Sequence, residues 1–148
     1  PEKREELTTE GGLNVVDDIN RLHPFVKELR DSGIRVSLFI DPCPDQIEAS
    51  KIVGADCIEL HTGAYANASD QGLIEQEIDR LIKAVELATD DNIRVNAGHG
   101  LNYENVVSIS KIQGIMELNI GHSIVARSVM CGLGQAVSEM KKLVCGYD

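Results

Sequence analysis

Ile93-Arg94-Val95-Asn96-Ala97-Gly98-His99-Gly100-Leu101-Asn102 is the segment from which the fold of this chain is best read. Residues 93–97 predict a short buried strand, the glycines allow a sharp turn, and a helix is expected to open at Asn102. Without a Cβ, Gly98 and Gly100 let the backbone bring bare N–H groups close to a ligand. His99 is thereby placed at the carboxyl end of a strand, the rim where parallel α/β folds bind their ligands. Imidazole titrates near neutral pH and moves protons in either direction. A histidine that merely caps the next helix is the plainer reading, and the rest of the chain has to decide between them.

Working outward, the same strand–turn–helix unit recurs. Upstream, Arg35–Ile40 and Asp56–His61 read as strands. Between them Pro44 starts a helix that runs to Val53 and stops at Gly54. Ile19, Leu22, Val26 and Leu29 mark an earlier helix from about Asp17 to Ser32, capped by Asp17 or Asp18, and Pro24 predicts a kink or a later start. Residues 1–14 read as a loop and residues 62–68 as a turn. Ser69 or Asp70 caps a long helix carrying Ile74, Ile78, Leu81, Ile82 and Val85 on one face. Downstream come a short helix with Val106, Val107 and Ile112, a strand over 115–120, a short helix opening at Gly121-His122, and a last helix marked by Leu133, Val137, Met140 and Val144.

Strict alternation of strand and helix predicts an α/β fold with a parallel sheet and helices packed outside it. A small doubly wound sheet and half of a TIM-type (β/α)8 barrel both satisfy that pattern. Strand parity separates them. One face carries Val36, Leu38, Ile40, Ile58, Leu60, Leu118 and Ile120; the other carries Ser37, Glu59, Asn96, Glu117 and Asn119. A doubly wound sheet covered on both faces should be apolar on both. The recurring polar face favours the half barrel, with its polar side turned to a lumen.

The 148 residues are enough for one domain with a real core, and 43% hydrophobic with 26% charged residues is an ordinary globular composition. A net charge of −10 argues against nucleic acid or an anionic membrane as partner, though helix N-termini can still hold phosphate esters. There is no membrane-length apolar run and no secretory leader, so a cytoplasmic protein is expected. Cys43, Cys57, Cys131 and Cys145 form no C-x-x-C pair and read as small buried hydrophobes of a reducing compartment. The chain opens Pro1-Glu2-Lys3-Arg4 without an initiator Met, which suggests a fragment or trimmed chain.

His61, His99 and His122 all fall at or just past a predicted strand end, whereas His23 reads as a helix-surface residue. Glu59 and His61 are two apart on one strand and share a face. A lumenal Glu59 suits general acid–base work or stabilisation of a cationic intermediate; a structural ion pair is the alternative. No H-x-x-x-H or H-x-H spacing supports a metal site, and none is expected. Asn119-Ile120-Gly121-His122 ends the last strand and opens a helix, where barrels commonly bind phosphate, with the Gly100 and Gly121 amides and His122 as the cup. A tight turn is the plain alternative there.

With these motifs placed, the chain resembles the pyridoxine 5′-phosphate synthase family, (β/α)8 enzymes of vitamin B6 biosynthesis. The matching stretches are Pro1–Arg4 with Leu7–Gly12, Val36–Asp41, Ile58–Gly63, Val95–Leu101 and Glu117–His122, in the family's order. The resemblance implies condensation of 3-amino-2-oxopropyl phosphate with 1-deoxy-D-xylulose 5-phosphate to pyridoxine 5′-phosphate, phosphate and water, without an organic cofactor. It makes His99 the proton donor and Glu59 the transition-state stabiliser. It makes Gly100, Gly121 and His122 contacts to the aminooxopropyl phosphate and Thr8 a contact to the deoxyxylulose phosphate. The partners implied are small phosphorylated substrates and further copies of the chain, up to an octamer. The match covers the second half of the family's barrel, so residues 1–148 read as the C-terminal part of one barrel domain. The family's other catalytic His and Glu, and its phosphate-binding arginines, belong to the first half. A non-catalytic half barrel that only binds a phosphorylated small molecule is the alternative.

Overall fold

In the computed structural model, which describes residues 11–146, the strand–helix alternation is realised as a four-stranded parallel sheet with helices packed against it. The elements are α1 (Val15–Asp31), β1 (Ser37–Ile40), α2 (Pro44–Val53), β2 (Cys57–His61), α3 (Gly63–Ala66), α4 (Gln71–Asp90), β3 (Arg94–Gly98), α5 (Val106–Ser110), β4 (Ile115–Asn119), α6 (His122–Cys131) and α7 (Leu133–Cys145). No helix among the described residues is long and apolar enough to cross a membrane.

Local chemistry accounts for most boundaries. Pro44 stands at the start of α2, and Gly54 ends it in the left-handed conformation at φ 84°. Asp70 caps α4 by accepting the Leu73 N–H at 3.0 Å. α1 begins earlier than its periodicity indicates, at Val15. The Asn14 side chain caps it, and Gln46 of α2 accepts the Val15 N–H at 2.8 Å while donating to Asn14 at 3.1 Å. The later start offered at Pro24 does not occur: α1 begins at Val15 and carries Pro24 inside it, on the exposed side, while Val26 faces the core. Two further expectations are corrected. The 62–68 turn contains the one-turn helix α3, and the helix expected at Asn102 starts only at Val106. Asn102 is instead a turn residue, its side-chain oxygen accepting the N–H groups of Glu104 and Asn105. Of the four cysteines, all free thiols, only Cys57 is buried; Cys145 is exposed.

The strands lie side by side in the order β1-β2-β3-β4, all parallel. A doubly wound sheet reverses its strand order at a switch point. Here there is no reversal, and right-handed crossovers between successive neighbours put every connecting helix on the same face. That face holds Leu38, Ile40, Ile58, Leu60, Val95 and Ala97, none more than 7% exposed, packed against Ile47, Val53, Leu81 and Val85 of the helices. The opposite face is built in rows. Phe39, Glu59, Asn96 and Glu117 are in register across the four strands, and His61, Gly98 and Asn119 form the next row toward the carboxyl ends. An irregularity at Val95/Asn96 pairs Ile115 with Val95 but Glu117 with Asn96, which makes Met116 the extra residue and keeps Glu117 in its row. This is the winding of a (β/α) barrel arc, with the polar face where a barrel has its lumen. β4 pairs only with β3 among the described strands, and α6 buries none of its residues, leaving Val125, Val129 and Met130 exposed.

Candidate active site

Glu59 occupies the middle of β2 on the polar face and is half-buried. Its Oε2 accepts a hydrogen bond from the Asn119 side-chain amide, the last residue of β4, at 2.6 Å. This short, charge-assisted bond spans the gap that β3 leaves between them. Gly98 creates that gap. A Cβ there would fall 2.5 Å from Glu59 Oε1 and 2.8 Å from the Asn119 carbonyl, so glycine is required by close approach. Although they share a face, Glu59 and His61 take different partners: Glu59 binds Asn119, and His61 turns to Asp41.

His99 follows Gly98 with φ at 83°, a left-handed backbone that a residue with a Cβ enters only at a cost of about 1–3 kcal/mol. Thr62 holds it there. Fully buried, Thr62 donates its N–H to the Gly98 carbonyl at 2.8 Å, and its hydroxyl lies 2.7 Å from that oxygen and 2.5 Å from the His99 carbonyl. Gly100 continues the turn at φ 74°, with Ala66 only 2.6 Å from where its Cβ would be. Beyond it, Asn105 donates to the Gly100 carbonyl at 3.2 Å and accepts the Asn102 N–H at 2.8 Å. The Tyr65 hydroxyl fastens the Asn105 carbonyl at 2.7 Å.

The loop after His99 is tied to the next strand end through Ser123, which donates to the Leu101 carbonyl at 2.8 Å from the first turn of α6. Gly121 precedes that helix and His122 is its first residue, exposed. Gly121 has φ −117° and nothing within 4 Å of where a Cβ would be. No side chain caps α6. Its first N–H groups lack intrahelical partners and carry the positive end of the helix dipole, which suits an anion.

Of the predicted residues, Glu59, His99, Gly100, Gly121 and His122 therefore lie at the carboxyl ends of, or along, three adjacent strands; Thr8 lies outside the described residues. The helix-start hydroxyl Thr62 and the partnership of Asn119 with Glu59 escape sequence reasoning. Parity does place Asn119 on the polar face, which is the signal that points to it. Asn96, beside Glu59 in its row, is 7% exposed, and its side-chain oxygen has no partner among the described residues. A carboxylate, an imidazole and a helix N-terminus thus surround one stretch of the polar face. Together they can anchor an anion and move or stabilise charge beside it.

Comparison with known proteins agrees in scope. The family model described as "Pyridoxal phosphate biosynthesis protein PdxJ" matches residues 1–146. A protein of Sulfurihydrogenibium sp. (strain YO3AOP1) named pyridoxine 5′-phosphate synthase is 54% identical over 144 residues, covering 97% of this chain. Proteins of the same name from Blochmanniella pennsylvanica and Synechococcus sp. (strain JA-2-3B'a(2-13)) are 51% and 54% identical, over 97% and 96% of the chain. The chain spans 59% of the length of each of these three relatives. It belongs to the PdxJ family of pyridoxal phosphate biosynthesis proteins.

Proposed function

We propose that this chain forms the C-terminal part of a (β/α)8 pyridoxine 5′-phosphate synthase and carries one phosphate anchor and the proton-donating side of its site. The reaction is the condensation of 3-amino-2-oxopropyl phosphate with 1-deoxy-D-xylulose 5-phosphate, giving pyridoxine 5′-phosphate, phosphate and water. The observation that carries this reading is the convergence of Glu59, the Gly98-His99-Gly100 turn and the uncapped start of α6 on adjacent strand ends. The phosphate of the aminooxopropyl substrate docks at the Gly121-His122 end of α6 and beside Gly100. His99 donates protons in the imine, dehydration and ring-closing steps, and Glu59, held by Asn119, stabilises positive charge that develops on the substrate nitrogen. Thr8 contacts the second phosphate. The chemistry is proton transfer throughout and calls for no organic cofactor. The enzyme acts in the cytoplasm as a homo-oligomer, with an octamer as the expected size.

The test is product formation by the purified 148-residue chain, with and without a separately expressed first half of the family's barrel. The chain alone is expected to make no detectable product, because acid–base groups and a second phosphate clamp are each worth orders of magnitude in rate. The combined halves are expected to restore turnover. Binding of phosphate esters without turnover in the combined protein would replace this reading with that of a binding half barrel.

A further inference from the structure

His61 is not needed by any role assigned above, yet its ring is held from several sides at the rim. Its Nδ1 lies 3.0 Å from Asp41 Oδ1, just past the end of β1. The Phe39 ring, also from β1, meets it in a T-shaped contact with ring centroids 5.1 Å apart and planes at 79°. Its other flank faces Gly63, where a Cβ would fall 2.6 Å from His61 Nε2 and 3.1 Å from His99 Cδ2. The His99 ring rests against it, centroids 4.8 Å apart. Nε2 itself is buried and has no hydrogen-bond partner among the described residues. A carboxylate can only accept, so Nδ1 carries the proton toward Asp41, and in the neutral ring Nε2 is left as a lone pair on the His99 side.

We propose that Asp41 and His61 are positioning residues for His99: Asp41 fixes the His61 ring, and that ring fixes the orientation of the His99 imidazole. The line Asp41–His61–His99 crosses three adjacent strand ends. The His99 ring leans on the His61 ring with their planes tilted by 52°, so the position of one ring limits the orientations open to the other. Gly63 supplies the room in which the two imidazoles meet. A buried acceptor without a donor is costly, and is kept where a working arrangement demands it. This inference rests on the reading of His99 as the proton donor.

The experiment uses the complete barrel protein with His61→Phe, Asp41→Asn and the double variant. Phenylalanine keeps a flat ring against Phe39 and His99 but has no N–H for Asp41. The Asp41 side chain is 55% exposed, so Asp41→Asn leaves the fold intact. Each single variant is expected to lower kcat about tenfold, since small misorientation of a proton donor is felt strongly in rate, with KM for both substrates within about twofold. The double variant should lose no more than His61→Phe alone, because both act through one ring. Wild-type kcat in His61→Phe, a raised KM at unchanged kcat, or losses that multiply would each overturn the proposal. A second readout needs no substrate: the ring 15N spectrum should show His61 protonated at Nδ1 only, and Asp41→Asn should move the His99 ring signals. Protonation at Nε2, or an unmoved His99, refutes the couple. If the unsubstituted protein has no synthase turnover, the proposed function fails, and the couple is then judged on this spectrum.

Discussion

Gly98→Ala is the sharpest test of how this site is built. The added methyl would lie 2.5 Å from Glu59 Oε1, 2.8 Å from the Asn119 carbonyl and 3.1 Å from Asn119 Cβ, where ordinary contact needs about 3.4–4 Å. The carboxylate can swing away, but the carbonyl cannot: Gly98 and Asn119 are paired in the β3–β4 ladder, and moving that oxygen means prising the strands apart. Crowding of this kind costs about 1–3 kcal/mol. Displacing Glu59 also breaks its bond to Asn119, a loss of about 1.5–3 kcal/mol for a hydrogen bond to a charged group. Alanine stiffens the unfolded chain and returns about 0.4–1 kcal/mol. The net expectation is a destabilisation of about 2–5 kcal/mol, read by urea unfolding of the complete protein, with turnover falling as Glu59 leaves its place. Gly121→Ala is the internal control. Its Cβ meets nothing within 4 Å and its φ of −117° suits any residue, so stability should stay within about 0.5 kcal/mol. Equal stability of the two variants would refute the argument that Gly98 exists to make room for Glu59.

Three further outcomes are expected. His99→Asn should abolish turnover while largely preserving binding of the phosphate product, because the amide keeps hydrogen bonding but cannot shuttle a proton near neutral pH; steady-state rates beside calorimetry check it, and near-normal turnover would remove His99 from the mechanism. Gly121→Val should fold normally yet weaken 3-amino-2-oxopropyl phosphate binding by about tenfold or more, some 1.4 kcal/mol, by shielding the start of α6; unchanged affinity would place the phosphate elsewhere. The Glu139 carboxyl is held below its ordinary value by hydrogen bonds from Gln135 and then Arg127, the latter reaching across from α6. A depressed folded-state value means this tie between α6 and α7 is complete above the ordinary carboxylate range and is lost as pH falls through the depressed value. Protection of the α6 amides, taken relative to the intrinsic exchange rate at each pH, should therefore stay constant from neutral to mildly acidic pH and fall only below that range, and Glu139→Gln should remove the dependence.

What the sequence alone determined is whatever rests on neighbours in the chain. Pro44 and Gly54 bound α2 because each acts on its own φ, and the period-two pattern of Ile58-Glu59-Leu60-His61 is enough to send Glu59 and His61 to the polar face. Four strand–helix units with one polar face suffice to choose a barrel arc over a doubly wound sheet, and the glycines around His99 mark a strand end of the kind at which parallel α/β folds bind ligands. Tertiary structure decided everything that depends on which strands become neighbours. Asn119 reaches Glu59 across sixty residues of sequence, Asp41 rather than Glu59 takes His61, and Thr62 secures the left-handed turn at His99 from thirty-seven residues away. Pro24 stays inside α1 because its face is exposed, which periodicity near a proline does not reveal. Local propensity is a sum over adjacent residues, whereas a hydrogen bond between strand ends exists only once the sheet has set its register. The pairing of Glu59 with Asn119 is therefore a property of the fold, although both residues are plain in the sequence.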